Sequence, residues 1–169
     1  MACILTSGYT LDCRDQIGGI KQVYFCERNA SSTFTQSTGT ISAFVLCGST
    51  SFRKYEQNPE TATFTEAITP SEANGTLFYD QDLEIVIPKW NVTLRNELYL
   101  LAQQPLWVII KDANDTYKLM GATRFASMQP STTTNGKAAG DMAGYTLKFK
   151  AKEPVAAYFV SSSATGITL

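Results

Sequence analysis

The chain has 169 residues, of which 44% are hydrophobic and 17% are charged, and its net charge is −1. This length suits one domain with a sizeable core, and the near-neutral charge argues against a general nucleic-acid-binding domain, since such domains are usually strongly basic. The chain has no histidine, which removes the commonest general base and metal ligand and excludes Ser-His-Asp and Cys-His catalysis within it. The charged fraction lies below the usual ~25%, which indicates a surface that partners cover in an assembly.

Four cysteines are present, and no two of them form a C-x-x-C pair, which argues against a zinc site. Small, buried or half-buried side chains are the favoured interpretation, with disulfides left open. The N-terminus has no basic segment followed by an apolar run, and no stretch reaches the roughly 18 apolar residues of a transmembrane helix. We therefore expect no membrane span and folding in a cytoplasm. The cysteines are Cys3, Cys13, Cys26 and Cys47.

Strand patterns and turn signals alternate along the first part of the chain. Residues 1–18 have no regular period and contain glycines, which predicts an N-terminal arm. A first strand is predicted over Ile20–Glu27, and polar residues 29–40 predict a loop. The next strand, Ile41–Cys47, is nearly all apolar, so it is expected to be buried on both faces.

Two short strand-like runs follow, Phe52–Asn58 and Ala62–Thr69, with the turn signal Asn58-Pro59-Glu60 between them. They predict a hairpin that projects from the body. Its first run mixes charges of both signs with aromatic side chains. This mixture fits an ordinary exposed loop and, equally, a contact loop in which aromatic residues anchor a neighbouring copy and charges set the register.

The longest predicted strand, Thr76–Ile87, begins after the turn signal Asn74-Gly75 and alternates clearly between apolar and acidic residues. Its apolar side chains point to one face, because side chains alternate across a strand. The acidic face has two interpretations: a solvated surface whose carboxylates pair with lysines, or an acidic wall that lines a channel and repels phosphates. The acidic residues are Asp80, Asp82 and Glu84.

A short amphipathic helix is predicted over Thr93–Gln103, with Leu94, Leu98 and Leu101 on one stripe. Asn91 or Thr93 supplies the N-cap oxygen. At about three turns the helix is too short to be stable alone, so it is expected to lie against a sheet.

The remaining pattern predicts further strands. Leu106–Lys111 is apolar on both faces, which we interpret as a sheet on one side and the helix on the other. The strand Gly144–Lys152 carries Lys148, Lys150 and Lys152 on one face, and we expect these lysines to be solvated or paired with the acidic row. Residues 129–143 predict a polar loop. The other predicted strands are Tyr117–Phe125 and Ala156–Val160.

Several short phrases resemble the tail tube (major tail) proteins of long-tailed bacteriophages. The resemblance spans residues 8–160 and rests on these phrases, on the start Ser7-Gly-Tyr-Thr-Leu-Asp-Cys-Arg and on the order of elements. The phrases in the second half are Asn74-Gly-Thr-Leu-Phe-Tyr79, Leu94-Arg-Asn-Glu-Leu98, Val108-Ile-Ile-Lys-Asp112, Leu119-Met-Gly121 and Gly140-Asp-Met-Ala-Gly-Tyr-Thr-Leu147.

This resemblance implies a mainly β fold in one domain, 1–169: a two-sheet β-barrel or sandwich with one short flanking helix, about 93–103, extended loops and terminal arms. It implies hexameric rings whose inner sheets join edge to edge and which stack into a hollow tube. The tube would enclose a tape-measure protein, meet tail-end or terminator proteins, and conduct DNA without binding it specifically. The expected location is the virion tail, assembled in the bacterial host cytoplasm.

Applied to this sequence, the resemblance implies that Thr50–Thr69 is a stacking loop and that residues 1–18 and 154–169 are arms between rings or subunits. It makes Asp80, Asp82 and Glu84 candidates for the lumen lining, although the same strand can present them outward. The candidates for inter-ring contact are Phe52, Arg53, Lys54, Tyr55 and Glu56.

Other functions remain open at the level of sequence. A terminator or connector ring or a secretion-type tube would share the fold. A capsid decoration protein or carbohydrate-binding β-sandwich is a second class, against which stand the lack of a calcium-type acidic loop and of an exposed aromatic cluster. We expect no enzyme, no metal and no cofactor, because the sequence contains neither histidine nor a phosphate-cradling glycine motif.

Overall fold

Strands dominate the computed structural model, which describes residues 8–10, 14–48, 51–165 and 167. Within these residues the chain forms two sheets and one helix. The elements are β1 (Ile20–Glu27), β2 (Thr33–Ser37), β3 (Thr40–Val45), β4 (Arg53–Glu56), β5 (Thr63–Ser71), β6 (Thr76–Pro88), α1 (Val92–Gln103), β7 (Leu106–Asp112), β8 (Tyr117–Met120), β9 (Ser127–Thr134), β10 (Gly144–Glu153) and β11 (Tyr158–Thr165).

The larger sheet has seven strands in the order β2-β3-β11-β8-β7-β1-β4. Its neighbours are antiparallel, except that β11 runs parallel to β3. The smaller sheet has four antiparallel strands in the order β5-β6-β10-β9. Sequence-adjacent β4 and β5 therefore belong to different sheets, as do β8 and β9.

The first core lies between the two sheets. Alternate residues of β1 and β7 face alternate residues of β6 and β10, and all of them are almost fully buried. This pairing of two apolar faces explains why β6 and β10 alternate so regularly in sequence. The central residues are Val23, Phe25, Leu83, Ile85, Val108, Ile110, Leu147 and Phe149.

A second core lies on the opposite face of the large sheet, where Trp107 of β7 is only 1% exposed. The rings of Phe34 and Phe44, from β2 and β3, lie 5.8 and 5.9 Å from the Trp107 ring. In a flat sheet β2 would stand four strands away from β7, roughly 19 Å at about 4.8 Å per strand. The large sheet therefore curls so that its β2–β3 end covers the outer face of β7.

The helix α1 packs on the first core through Leu98, which is buried, and through Leu94 and Leu101. The Asn91 side chain accepts a hydrogen bond of 2.9 Å from the Thr93 backbone N–H, which caps the helix. The helix and the small sheet thus lie on the same side of β7. The expectation that the helix covers the other face of Leu106–Lys111 is wrong, because the curled β2–β3 end occupies that face.

A tight turn over residues 121–126 joins the two sheets. Gly121 has a φ of +76°, and a Cβ at this position would collide with the backbone nitrogen of Ala126. The backbones of Leu106 and Ala126 exchange hydrogen bonds of 2.9 and 3.0 Å beside this turn. The glycine explains why the strand predicted over Tyr117–Phe125 ends early, at Met120.

The Glu153 side chain is hydrogen-bonded to the same turn. Its carboxylate is 1% exposed and accepts hydrogen bonds from the backbone N–H groups of Thr123 at 3.1 Å and Arg124 at 2.7 Å. Burial raises the pKa of the Glu153 carboxyl, and the backbone donors oppose that rise. The buried acid therefore links the end of β10 to the turn that precedes β9.

The predicted fold class is confirmed: the protein is mainly β, with two sheets and one short helix that begins one residue earlier than predicted. The sheets do not close into a barrel, so the sandwich is the correct description. Among the described residues, no helix is both long enough and apolar enough to cross a membrane.

The predicted hairpin between Phe52–Asn58 and Ala62–Thr69 is wrong. β4 pairs with β1 and β5 pairs with β6, so the turn after Glu56 carries the chain from one sheet to the other. Burial of apolar side chains on both sheets outweighed the local turn signal. Residue 50, the first residue of the predicted stacking loop, lies outside the described residues, as does residue 49.

Two predicted loops contain strands. Residues 29–40 include β2, and residues 129–143 include most of β9. Both strands are rich in serine and threonine, and most of their side chains are exposed. They lack the apolar alternation that reveals a strand in sequence, and only pairing with β3 and β10 defines them.

The terminal segments differ from each other. The predicted C-terminal arm, 154–169, instead supplies β11, which lies inside the large sheet between β3 and β8 because Val160 and Ala164 enter the second core. Within residues 1–18, the described parts, 8–10 and 14–18, contain no helix or strand, and Ile17 exchanges hydrogen bonds of 2.8 and 3.0 Å with the Asn114 side chain. Residues 1–7, 11–13, 166 and 168–169 lie outside the described residues.

Two cysteines fall within the described residues. Cys26 is buried in β1, and Cys47 is half-buried just after β3. Cys3 and Cys13 lie outside the described residues.

Candidate functional site

The small sheet turns one face to the first core and carries a row of opposed charges on the other. β6 and β10 pair in a register that sets each acidic residue of β6 against a lysine of β10. Directly opposed residues of an antiparallel pair share a face and lie within contact distance. The opposed pairs are Glu84–Lys148, Asp82–Lys150 and Asp80–Lys152.

Lys150 is the centre of this ion-pair row. Its Nζ lies 3.0 Å from Asp80 Oδ2 and 3.2 Å from Asp82 Oδ2, so one ammonium bridges two carboxylates. Lys148 Nζ lies 3.3 Å from Glu84 Oε2. The hydrogen bonds to Asp80 and then to Asp82 raise the pKa of Lys150, because they stabilise its charged form.

Lys152 is placed differently from the other two lysines. Its Nζ lies 5.5 Å from the centre of the Phe78 ring, within the range of a cation–π contact. Phe78 and Lys152 lie at the end of the row that is nearest the turn between β5 and β6. All three lysines of this face therefore have a partner within the chain.

Neutral residues surround the row of ion pairs. The register places Thr63, Thr65 and Ala67 of β5 beside the carboxylates, and Ser127 and Gln129 of β9 beside the lysines. The three carboxylates and three lysines balance, so this face is polar and neutral rather than the acidic wall that the carboxylates alone suggested. The carboxylates pair with lysines of the same chain. That Asp80, Asp82 and Glu84 line a lumen stays a prediction.

The five candidates for inter-ring contact lie at the β4 edge of the large sheet and not on a projecting hairpin. The Phe52 ring packs 5.5 Å from Phe44 in the second core, and the Tyr55 ring packs 5.1 Å from Phe25 in the first core. Both aromatic side chains are half-buried and pack against the cores. Arg53, Lys54 and Glu56 are exposed, and Lys54 pairs with Glu56 at 2.9 Å, so these charged members supply most of the accessible surface.

The small sheet has two dissimilar edges. β9 contains Pro130 and has an irregular register against β10 between Thr146 and Lys148, and both features limit pairing at an edge. β5 is nine residues long, and its only proline, Pro70, stands next to its end. Among the described residues, nothing pairs with the outer side of β5. The sequence did not predict this edge, because the run that forms β5 was expected to pair with Phe52–Asn58.

The end of the β5–β6 hairpin is apolar on one side. That side belongs to the face of the small sheet that packs in the first core. Ile68 is 63% exposed and Leu77 is 51% exposed, and they share this side with Leu83, which is 1% exposed. The hairpin therefore extends past the part of the large sheet that covers it. The sequence did hold a signal: a strand of 13 residues exceeds the usual upper length of about 10, so one end must protrude.

Within the described ranges, no group of three or more histidine, cysteine, aspartate or glutamate side chains is arranged to hold a metal ion. Comparison of the sequence with protein-family models and characterised proteins, and of the fold with solved structures, gave no match. The resemblance to tail tube proteins thus stays a prediction, which rests on the sequence phrases and the predicted order of elements.

Proposed function

We propose that this chain is a structural subunit of a bacteriophage tail tube, which forms hexameric rings that stack into a conduit for DNA. The observation that carries the proposal is the small sheet, which combines one face in the core, a polar neutral outer face and an unpaired β5 edge. A sheet of this kind suits a wall that is built by joining copies side by side. Open edges of this length otherwise favour aggregation.

In the proposed ring, the β5 edge of one copy pairs with the β9 edge of the next, which Pro130 and the irregular register interrupt only near the middle of β9. Backbone hydrogen bonds across the joint satisfy the donors and acceptors that β5 leaves open, as strand addition does in other complexes. Repetition around the ring closes the small sheets into one barrel and removes the free edges. The large sheet lies outside this wall, where its two cores keep each subunit rigid.

The outer face of the small sheet then lines the lumen. Proteins bind DNA phosphates chiefly through lysine and arginine, which release counterions on contact. On this face Lys148 and Lys150 are held by carboxylates, and Lys152 lies over Phe78. A lumen of this composition offers DNA few free cations and lets it pass, without requiring the net negative charge of an acidic wall.

The proposal includes the partners and location that follow from such a role. The tube surrounds a tape-measure protein, ends at terminator proteins, and belongs to the virion tail after assembly in the host cytoplasm. The chain performs no catalysis and needs no cofactor in this role.

Electron microscopy of the purified protein in negative stain, with mass photometry across a concentration series, tests the proposal. Six-fold rings and hollow stacked tubes are the expected result. Single rings that never stack would indicate a terminator or connector ring instead. A chain that remains monomeric at high concentration would overturn the proposal and favour a decoration or binding module.

A further inference from the structure

We infer that the apolar tip of the β5–β6 hairpin of one copy inserts into a groove beside α1 of a second copy, in a head-to-tail contact. This inference rests on the proposed function and specifies which surfaces join along the tube. The hairpin tip is defined by Ile68, Pro70, Glu72 and Leu77. The α1 groove is defined by Arg95, Tyr99, Leu100, Met128 and Tyr145.

The hairpin tip carries its apolar side chains on one side. Pro70 lies opposite Leu77 and Ile68 lies opposite Tyr79, so Ile68, Pro70 and Leu77 share one side of the hairpin. Hydrogen bonds of 3.4 Å from Gly75 N–H to the Glu72 carbonyl and from the Asn74 side chain to Ser71 Oγ close the turn. The tip thus presents one protruding apolar patch to a partner.

The α1 groove is an open, mostly apolar depression of about 710 Å³ between the helix and strands β9 and β10. Tyr99 is 65% exposed and Leu100 is 46% exposed on its helix side, and Met128 and Tyr145 form its floor. Apolar clefts of a few hundred Å³ are typical receptors for protruding side chains. The groove therefore has the size and the chemistry to receive the tip.

The two surfaces lie at opposite ends of one strand. Leu77 stands at the first end of β6, and α1 begins four residues after Pro88 at the other end. Tyr145 of the groove pairs with Ile87, and the ten steps from Leu77 to Ile87 at about 3.3 Å each span roughly 33 Å. A single copy therefore cannot place its own tip in its own groove, and a second copy must supply one of the two surfaces.

The charges of the two surfaces are complementary. The sequence from Phe64 to Pro88 contains no lysine or arginine, and Glu72 stands at the tip itself. The α1 end carries Lys89, and Arg95 lines the groove. Opposite charges at the rims of two apolar surfaces favour tip-to-groove contact over tip-to-tip contact, where like charges would meet.

A contact between two different surfaces of the same chain is heterologous, and its repetition builds an open stack instead of a closed dimer. It acts along the strand direction of the small sheet, whereas the β5 edge acts across it. The two contacts are therefore independent: one joins copies within a ring and the other joins one ring to the next.

A mixing experiment tests this contact, with Leu77→Asp breaking the tip and Tyr99→Asp breaking the groove. Both residues are exposed, so both variants should fold, as far-UV circular dichroism will check. Each variant alone should raise the concentration needed for stacking at least about tenfold, because a charge enters an apolar contact. An equimolar mixture should form two-layer particles and stop, since one intact tip and one intact groove remain between the partners.

The matched control is Val45→Asp, which places the same charge at a residue that is 59% exposed on β3, away from both surfaces. It should stack like the unmodified chain. A charge exchange adds a second check: Glu72→Lys and Arg95→Glu should each weaken stacking, and the double variant should recover it.

The outcomes separate the two proposals. Tubes of normal length from both variants would overturn the tip-to-groove contact and leave the tail tube proposal intact. Single rings from both variants, with two-layer particles on mixing, would support both. Rescue that fails on mixing while each variant still makes rings would overturn the pairing of these two surfaces. A chain that never assembles would overturn both proposals.

Discussion

β7 of the large sheet is enclosed on both faces, whereas β6 of the small sheet is enclosed on one face and carries ion pairs on the other. Trp107, in β7, contacts rings from the curled end of its own sheet, so the large sheet covers the outer face of β7 with its own strands. The small sheet leaves the β5 edge unpaired and leaves its polar outer face and the apolar end of its hairpin uncovered. This difference teaches that substitutions on the buried faces of either sheet should change stability, whereas substitutions on the outer face, the β5 edge and the hairpin tip of the small sheet should change assembly.

The largest loss of stability is expected for Trp107→Ala. Truncation of a large buried aromatic residue costs about 3–5 kcal/mol of unfolding free energy, and here it also removes the hydrogen bond from Trp107 Nε1 to the Ala122 carbonyl. Urea denaturation followed by circular dichroism measures the loss. Phe78→Ala, on the outer face of the small sheet, is the control and should cost far less. Equal losses would contradict the contrast between the two sheets.

The next largest effect is expected at the turn that joins the sheets. Gly121→Ala places a Cβ against the backbone of Ala126 and Phe125, which is not free to move. Gly75→Ala is the matched control, because Gly75 also has a positive φ but open space around it. The control should lose about 1–2 kcal/mol from conformation alone, and Gly121→Ala should lose more. Thermal unfolding of both variants makes the comparison, and a smaller loss at Gly121 would show that the turn can relax.

A smaller, pH-dependent effect is expected for Glu153. Because burial raises its folded-state pKa above the unfolded value, the native state holds its proton longer as pH rises. The stability of the unmodified chain should therefore fall as pH rises from the ordinary glutamate pKa through the raised one. Glu153→Gln lacks this titration, so its stability relative to the unmodified chain should increase across that window. Parallel pH profiles for the two proteins would refute a raised pKa.

The smallest effect on stability is expected for Asp80→Asn with Asp82→Asn, since ion pairs at a protein surface contribute about 1 kcal/mol or less even where, as at Asp80 and Lys150, they are half-buried. The same change frees Lys150 on the proposed lumen face. Assembled particles of this variant should retain DNA in a salt-sensitive way, as gel shift or filter binding would show. Glu27→Gln with Glu60→Gln changes the net charge equally without freeing a lysine, because both glutamates are exposed and neither pairs with a described lysine. Equal DNA retention by both variants would show that the ion pairs do not mask Lys150.

The sequence predicted those elements whose apolar residues repeat regularly. β1, β6, β7, β10 and α1 each bury one or both faces, so their period appears in the residues themselves. The acidic row and the lysine row were also visible, because both follow the two-residue period of a strand. Their opposition within one chain required the register of β6 against β10.

The sequence did not predict the partners of strands, which depend on contacts between distant segments. β2 and β9 have exposed faces and no apolar period, so they looked like loops. β4 and β5 looked like one hairpin because a strong turn signal separates them, whereas burial of Tyr55 and Phe64 in the first core sends them to different sheets. The predicted strand Ala156–Val160 covers only the start of β11 and was assigned to an arm, because the rest of β11 is rich in serine and only Val160 and Ala164 are buried in it.

Amide hydrogen exchange of β5, compared between assembled particles and dilute subunits, tests the central claim most directly. The account predicts that the outward-pointing amides of Thr63–Thr69, those not bonded to β6, gain protection on assembly, because the edge of the next copy pairs with them. Amides of β7 should be equally protected in both states and serve as the internal reference. Assembled particles in which β5 exchanges as fast as in dilute subunits would contradict the claim that this edge forms the joint between copies.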